Sequence, residues 1–288
     1  MRAQRGYWLF CVPSAAVLGL VFFYPLGYAV YLSFFNYYLG AHPSFAGLSN
    51  YAALLHDQRF WSSLGKTVQI VGAAVTLEFA LGLTVAFGLY KLTYGVRGLN
   101  LLLFLPHIVT PVVAALFLRW IFMGRWGLLD GILASFGLFG PDWLGSPGWA
   151  RLVVVLADSW QFTPFIILVL YAGLNTVDHS QIESASIDGA RNWSILTHVM
   201  LPAIRPLVVF VLSIRIMDAF RFFDSIYVLT AGGPGTATET ITMYTYALAF
   251  RLLEVGKASA LGVLTLLVSA SIIGSIIAIL YRRERGAF

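Results

Sequence analysis

Residues 258–281 read ASALGVLTLLVSASIIGSIIAILY, a run without a single charged side chain. About 20 apolar residues of helix are enough to cross the hydrocarbon of a bilayer. The run is continuous and lacks the two-residue alternation of a barrel strand, so it reads as a membrane-spanning helix. Five further stretches read the same way, at about 8–34, 64–90, 100–123, 151–173 and 205–229.

Composition agrees with that reading. Of 288 residues, 59% are hydrophobic and 11% charged, and the mean hydropathy is +0.82. A soluble domain carries about 25% charged residues, so the bilayer is part of this chain's solvent. The expected class is an all-α polytopic membrane protein, a single transmembrane domain over 1–288 with six spans. No internal repeat is strong enough to propose an inverted pair. The one cysteine, Cys11, lies inside the first run, which excludes a disulfide within the chain and a Cys-based metal site. The pI of about 9.4 does not point to nucleic acid, because the basic residues are scattered between apolar runs as topology signals.

The chain opens like a signal peptide, with Arg2 and Arg5. The apolar run behind them lasts about twenty-five residues, beyond the 7–15 of a cleavable core region, so it is expected to be retained. With the N-terminus in the cytoplasm, nine Lys and Arg fall inside and six outside, and Arg282, Arg283 and Arg285 cluster on the inner side. Both termini are expected in the cytoplasm. So is the segment 176–203, between the fourth and fifth spans. The outer loops, about 35–63, 124–150 and 230–257, are expected to contain short interfacial helices. Their Tyr and Trp fit the aromatic belt of a membrane interface.

The inner segment contains QIESASIDGARNWSILTHVMLPAIRP, Gln181 to Pro206. Asp178 can cap a helix over about His179–Ile187, with Gln181 as its capping-box partner. Ser184, Ala185 and Ser186 are small enough for another backbone to come close. Asp188 and Gly189 supply a turn with positive φ at the glycine. Trp193, Leu196 and Met200 recur at helical spacing and predict an apolar stripe on a second helix. Pro202 should bend that helix, and Pro206 suits the first turn of the fifth span. On residue properties alone this is either an amphipathic connector or a bent element presenting a small-residue knob.

The spacing Glu183-Ser184-Ala185, three residues, Gly189, nine residues, then Val199-Met200-Leu201-Pro202 resembles the EAA loop of ATP-binding-cassette importer permeases. That pattern is E-A-A-x3-G-x9-I-x-L-P, with Ser184 here for the first Ala and Val199 for the Ile. The fuller run through Ile187-Asp188-Gly189-Ala190 resembles the carbohydrate-uptake branch. FDSIYVLTAGGPGTATETITMYTYALAF (223–250) is similar to the segment after span five in maltose-type F-like subunits, and FAGLSNYAALL (45–55) resembles that branch's first outer loop. The chain looks more like the compact six-span glycerol-phosphate and disaccharide permeases than like maltose's own F subunit.

The resemblance implies a type I importer permease for a sugar or sugar derivative, in the cytoplasmic membrane of a bacterium or archaeon. Glu183, Ser184, Ala185, Asp188, Gly189, Ala190, Leu201 and Pro202 would couple it to a cytoplasmic ATPase present in two copies, which would bind the ATP and Mg²⁺. A second, G-like permease would complete the path. Gly232, Gly233 and Pro234 would meet an extracytoplasmic substrate-binding protein. No cofactor is implied in this chain.

LGKT at 64–67 resembles the end of a phosphate loop, but Phe60 stands where the first glycine is needed. Nucleotide is therefore expected on another chain. In the fifth span Arg215, Asp218, Arg221 and Asp224 follow at steps of three, so adjacent opposite charges can pair. Charges in a membrane face a bundle interior or a wet cavity. Arg215 and Asp218 read first as a pair that fixes helix packing, with Asp218 and Arg221 as candidates to line the path. Glu78 reads as a buried, hydrogen-bonded acid rather than a proton carrier. Trp160 could stack on a sugar ring and Gln161 bind its hydroxyls, although an interfacial Trp is equally consistent. His42, His56, His107, His179 and His198 are dispersed without metal-ligand spacing, so no metal site is expected. Asn192-Trp193-Ser194 matches a glycosylation pattern on the wrong side of the membrane. No catalytic constellation is visible, so a membrane enzyme acting on lipid-linked sugars is disfavoured. An ion-gradient-driven secondary transporter is the alternative, resting on Glu78 and the span-five charges.

Overall fold

Each apolar run becomes helix, because a backbone amide in hydrocarbon has no partner outside its own segment. The computed structural model describes residues 7–282. Arg2, Arg5, Arg283 and Arg285, used above for orientation, lie outside the described residues. The first elements are α1 (Tyr7–Leu18), a π-helical turn (Gly19–Phe23), α2 (Tyr24–Ser33), the short strands β1 (Phe35–Asn36) and β2 (Ser44–Phe45), and α3 (Ser49–His56). Then come α4 (Gln58–Lys91), α5 (Val96–Ile108), α6 (Pro111–Ile121), α7 (Leu128–Ser135) and α8 (Pro147–Leu174). The inner segment holds α9 (His179–Ile187), α10 (Asn192–Ile195), a π turn (Leu196–Met200) and α11 (Leu201–Ala203). The chain continues through α12 (Arg205–Phe220), α13 (Asp224–Leu229), α14 (Ile241–Tyr246), a third π turn (Ala247–Arg251) and α15 (Val255–Arg282).

Among the described residues four stretches are long and apolar enough to cross a membrane alone: Val12–Ser33, α4, α8 and Val255–Ser275. Two more come as bent pairs, α5 with α6 at 91° and Asn192–Ala203 with α12 at 79°, which gives six if each pair is one span. The third span, expected to be continuous over 100–123, is therefore broken. Pro111 offers no N–H and drives Thr110 to φ −63°, ψ 142°, so the helix stops and restarts in a new direction. The fifth, expected over 205–229, also ends early. α12 stops at Phe220, Phe223 leaves the helical region at φ −124°, ψ −54°, and the flanking Arg221 and Asp224 both reach solvent. Short helices are present in the three long loops as α3, α7 and α14.

The residues group into two compact units. One holds residues up to Ser62 together with Met243–Val268. Its two-stranded ladder pairs Phe35 with Phe45 and Asn36 with Ser44 in antiparallel register. Asn50 locks the end of α2 by donating from Nδ2 to the carbonyls of Ser33 (2.9 Å) and Phe35 (2.8 Å). The Gly256 amide donates to Tyr37 O at 3.0 Å, and a Cβ at Gly256 would collide with Phe35 O.

Asp57 is the polar hub of this unit. Its carboxylate accepts from the Tyr244 hydroxyl and, at 2.9 Å, from the Arg59 amide, with Lys257 Nζ at 3.7 Å. Burial pushes the Asp57 carboxyl up, but the Tyr244 and Arg59 hydrogen bonds and the Lys257 and Arg59 charges together hold it below its ordinary 3.8. Burial, then the bond to Asp57, pushes the Tyr244 phenol well above its ordinary 10.0. The signs differ. The Asp57 contribution is present above 3.8 and fades as pH falls below it; the Tyr244 contribution is present below 10.0 and fades as pH rises above it. Thermal unfolding should show the wild type weakening above pH 10. Tyr244→Phe should lose about 1–2 kcal/mol at neutral pH and lack that alkaline weakening. An unchanged alkaline limb in the variant would refute this account.

The other unit holds Ser63–Thr242 and residues from Ser269 onward. Its core joins α4, α8, α12 and the inner segment: Leu83 and Ala86, Ile166 and Leu170, Val211, and Leu196 with Met200 are all buried in one cluster. Two glycines let its helices meet. A Cβ on Gly82 would lie 2.6 Å from Ile166 Cγ2, and one on Gly173 would lie 2.8 Å from Leu207 Cδ1. LGKT lies within helix α4, where Thr67 Oγ1 donates to Ser63 O and accepts from the Ile241 amide.

Candidate functional site

Asp178 starts the elbow between α8 and α12. Its Oδ1 accepts from the Ser180 amide at 2.9 Å, one position earlier than the Gln181 amide of a full capping box. That backbone bond holds its carboxyl below the ordinary range. Helix α9 ends at Ile187, and Gly189 follows at φ +79°. Gly189 N donates to Ser186 O at 3.1 Å and Ala190 N to Ala185 O at 3.0 Å, the paired bonds of a Schellman cap. Only a residue tolerant of the left-handed region closes that cap without strain.

The elbow has two faces. Ile182, Ala185, Ala190, Val199 and Leu201 pack onto the core cluster shared by α4, α8 and α12. Glu183, Ser184, Asp188, Gly189 and Pro202 are exposed. Of the predicted stripe, Leu196 and Met200 are buried but Trp193 is 63% exposed. The π turn over Leu196–Met200 inserts an extra residue into the helical repeat and rotates Trp193 off the inner face. Sequence reasoning overlooked Ile187, which is 86% exposed at the tip of α9. The available signal was a large aliphatic side chain four residues after Glu183, on that residue's own face.

Inside the helical layer the charged residues converge. Arg215 of α12, 1% exposed, grips Glu78 of α4 with Nε (2.7 Å) and Nη2 (2.9 Å). Its Nη2 also reaches Asp158 Oδ2 of α8 at 2.9 Å, and Nη1 reaches Asp218 Oδ2 at 3.0 Å. The guanidinium carbon sits 4.0 Å from the centre of the Phe162 ring. The expected Arg215–Asp218 pair and the buried Glu78 are thus present, with Glu78 and Asp158 as further Arg215 partners. One guanidinium ties three helices. Asp158 Oδ1 is buried without a hydrogen-bond partner.

The other path candidates divide. Trp160 is 42% exposed, Asp218 has half its side chain exposed, and Arg221 is exposed in the break after α12. Gln161 is buried, and its amide donates to Val109 O at 2.9 Å, in the break between α5 and α6. It therefore braces a backbone carbonyl in that break. In the loop between α13 and α14 Gly232 is buried and its carbonyl accepts from the Thr238 amide at 3.1 Å, while Gly233 and Pro234 are half-buried. Thr238 Oγ1 donates to Gly233 O at 2.9 Å, so the tip that reaches solvent is Gly235 and Thr236.

Comparison with known proteins adds four findings. The family model described as binding-protein-dependent transport system inner membrane component matches residues 97–286. The sulfoquinovosyl glycerol transport system permease protein SmoG of Agrobacterium fabrum is 34% identical over 88% of this chain and 83% of its own length. The trehalose transport system permease protein SugA of Mycobacterium tuberculosis is 35% identical, over 92% of this chain and 85% of its own length. Among solved structures, a chain of a bacterial ABC transporter involved in the import of the acidic polysaccharide alginate superposes with a TM-score of 0.83. That match is 21% identical and covers 97% of this chain and 96% of the other, a likeness of fold.

Proposed function

We infer that this chain, which belongs to the family of binding-protein-dependent transport system inner membrane components, is the permease of an ATP-driven importer for a sugar or sugar derivative. Relatives named for trehalose and sulfoquinovosyl glycerol transport support the sugar class. The chain is a translocation subunit; ATP hydrolysis, with its Mg²⁺, belongs to a partner ATPase. The full assembly has a second, G-like permease, two ATPase copies inside and a substrate-binding protein outside, with both termini of this chain in the cytoplasm.

The observation that carries the reading is the two-faced elbow. Its outer face, with Glu183, Ser184, Asp188 and Gly189, is free for a groove on the ATPase. Ala185, Ala190 and Leu201 bind its inner face to the core, and Pro202 sits at the bend beyond the π turn. ATPase closure displaces the elbow, and the displacement passes into α8 and α12 on either side of it. Trp160, Asp218 and Arg221 line the solute path, and Gln161 supports it from behind. The outer tip from Gly233 to Thr236 meets the binding protein, with Gly232 as its buried base.

The ion-gradient alternative loses its main support, because Glu78 and Asp218 are both engaged by Arg215. Affinity purification through this chain, followed by identification of co-purifying subunits and assay of ATP hydrolysis, tests the reading. The complex in vesicles should take up trehalose-like or related sugars in an ATP-dependent way, insensitive to uncouplers. Transport by this chain reconstituted alone would end the proposal.

A further inference from the structure

We propose that the groove between the Gln58-side half of α4 and the Pro147-side half of α8 holds one anionic phospholipid, its phosphate on Arg151 and an acyl chain below it. The groove has a volume of about 360 Å³ and is lined by Gln69, Ile70 and Ala73 on one wall and Gly148, Arg151, Leu152 and Val155 on the other. On each helix these positions recur at helical spacing, so each wall is one continuous stripe.

The polar rung lies at one level only. Arg151 Nη1 donates to Gln69 Oε1 at 3.4 Å and Nε to Pro147 O at 3.2 Å, both neutral acceptors. Among the described residues Arg151 has no carboxylate partner. Below it the walls are apolar, and the small side chain of Ala73 leaves the depression. Trp149, exposed and stacked edge-on against Trp143 at 5.0 Å, lies two residues before Arg151. Aromatic side chains of this kind gather at headgroup depth. An unpaired guanidinium at headgroup depth above an apolar furrow matches an acidic headgroup with its acyl chain. A neutral helix from a partner subunit would leave that cation without a counter-charge.

The complete transporter, purified through this chain and washed free of lipid, is titrated with phosphatidylglycerol and separately with phosphatidylcholine, and bound lipid is counted by native mass spectrometry. The wild type should favour phosphatidylglycerol about fivefold at this site, and Arg151→Gln should erase the difference without altering the melting point in phosphatidylcholine. Ala73→Phe, which fills the furrow and leaves Arg151, should lower occupancy by both lipids. An equal preference in wild type and Arg151→Gln overturns the proposal. So does a Leu152→Cys variant that cross-links to another subunit and is not labelled by a photoactivatable phosphatidylglycerol.

Discussion

Arg215→Met should lower the midpoint of thermal inactivation of the purified complex by about 10 °C or more, since removing one member of a buried ion cluster costs about 3–5 kcal/mol. The reason is the burial of its partners. Glu78 and Asp158 are 0% and 2% exposed, and both would remain in the helical layer without their counter-charge. Asp218, with 49% of its side chain exposed, should matter far less. Asp218→Asn should cost no more than about 1 kcal/mol, as a solvent-accessible pair does. Arg215→Lys should fall between, because a point charge cannot reproduce the bidentate grip on Glu78. The triple change Glu78→Gln, Asp158→Asn and Arg215→Met removes every buried charge together and should recover at least half of the lost stability. If Arg215→Met melts with the wild type, the three-helix tie contributes nothing and the cluster has been misread.

Gly189→Val should cut uptake about tenfold or more while leaving membrane insertion at the wild-type level. At φ +79° a side chain with Cβ costs about 1–2 kcal/mol, so the native elbow becomes roughly tenfold rarer. No atom lies within 4 Å of a Cβ built there, so the penalty is backbone strain and not a clash. It falls on the Schellman bonds from Gly189 and Ala190, and hence on the angle between α9 and the segment after it. Uptake should therefore drop by about tenfold or more even as ATP hydrolysis by the assembled complex persists. Gly189→Asn, which tolerates the left-handed region, should retain most of the transport. Wild-type uptake by Gly189→Val would remove the coupling role.

Much of the elbow was legible because its determinants are close in sequence. Asp178 and Gly189 bracket a helix observed over the predicted His179–Ile187, since caps act within one turn. The Trp193 stripe failed at the first π turn beyond it, which no spacing rule at 3.6 residues anticipates. In the fifth span the Arg215–Asp218 pair is local and could be read, whereas Glu78 is 137 residues from Arg215 and Asp158 is 57. Gln161 and Val109 likewise meet only because α8 packs beside the break after α5. An amide that looked free for a solute in one dimension is occupied in three.

By itself the amino-acid order determined that this chain lives in a bilayer as helices and that a capped, glycine-ended elbow interrupts them. Hydrocarbon leaves backbone groups no partner outside the helix, and caps need only neighbouring residues. The tertiary structure alone decided which intramembrane charges meet, which polar side chains remain open to a solute, and which face of the elbow is free. Those choices depend on how distant helices pack, and packing brings together residues whose separation along the chain carries no local signal.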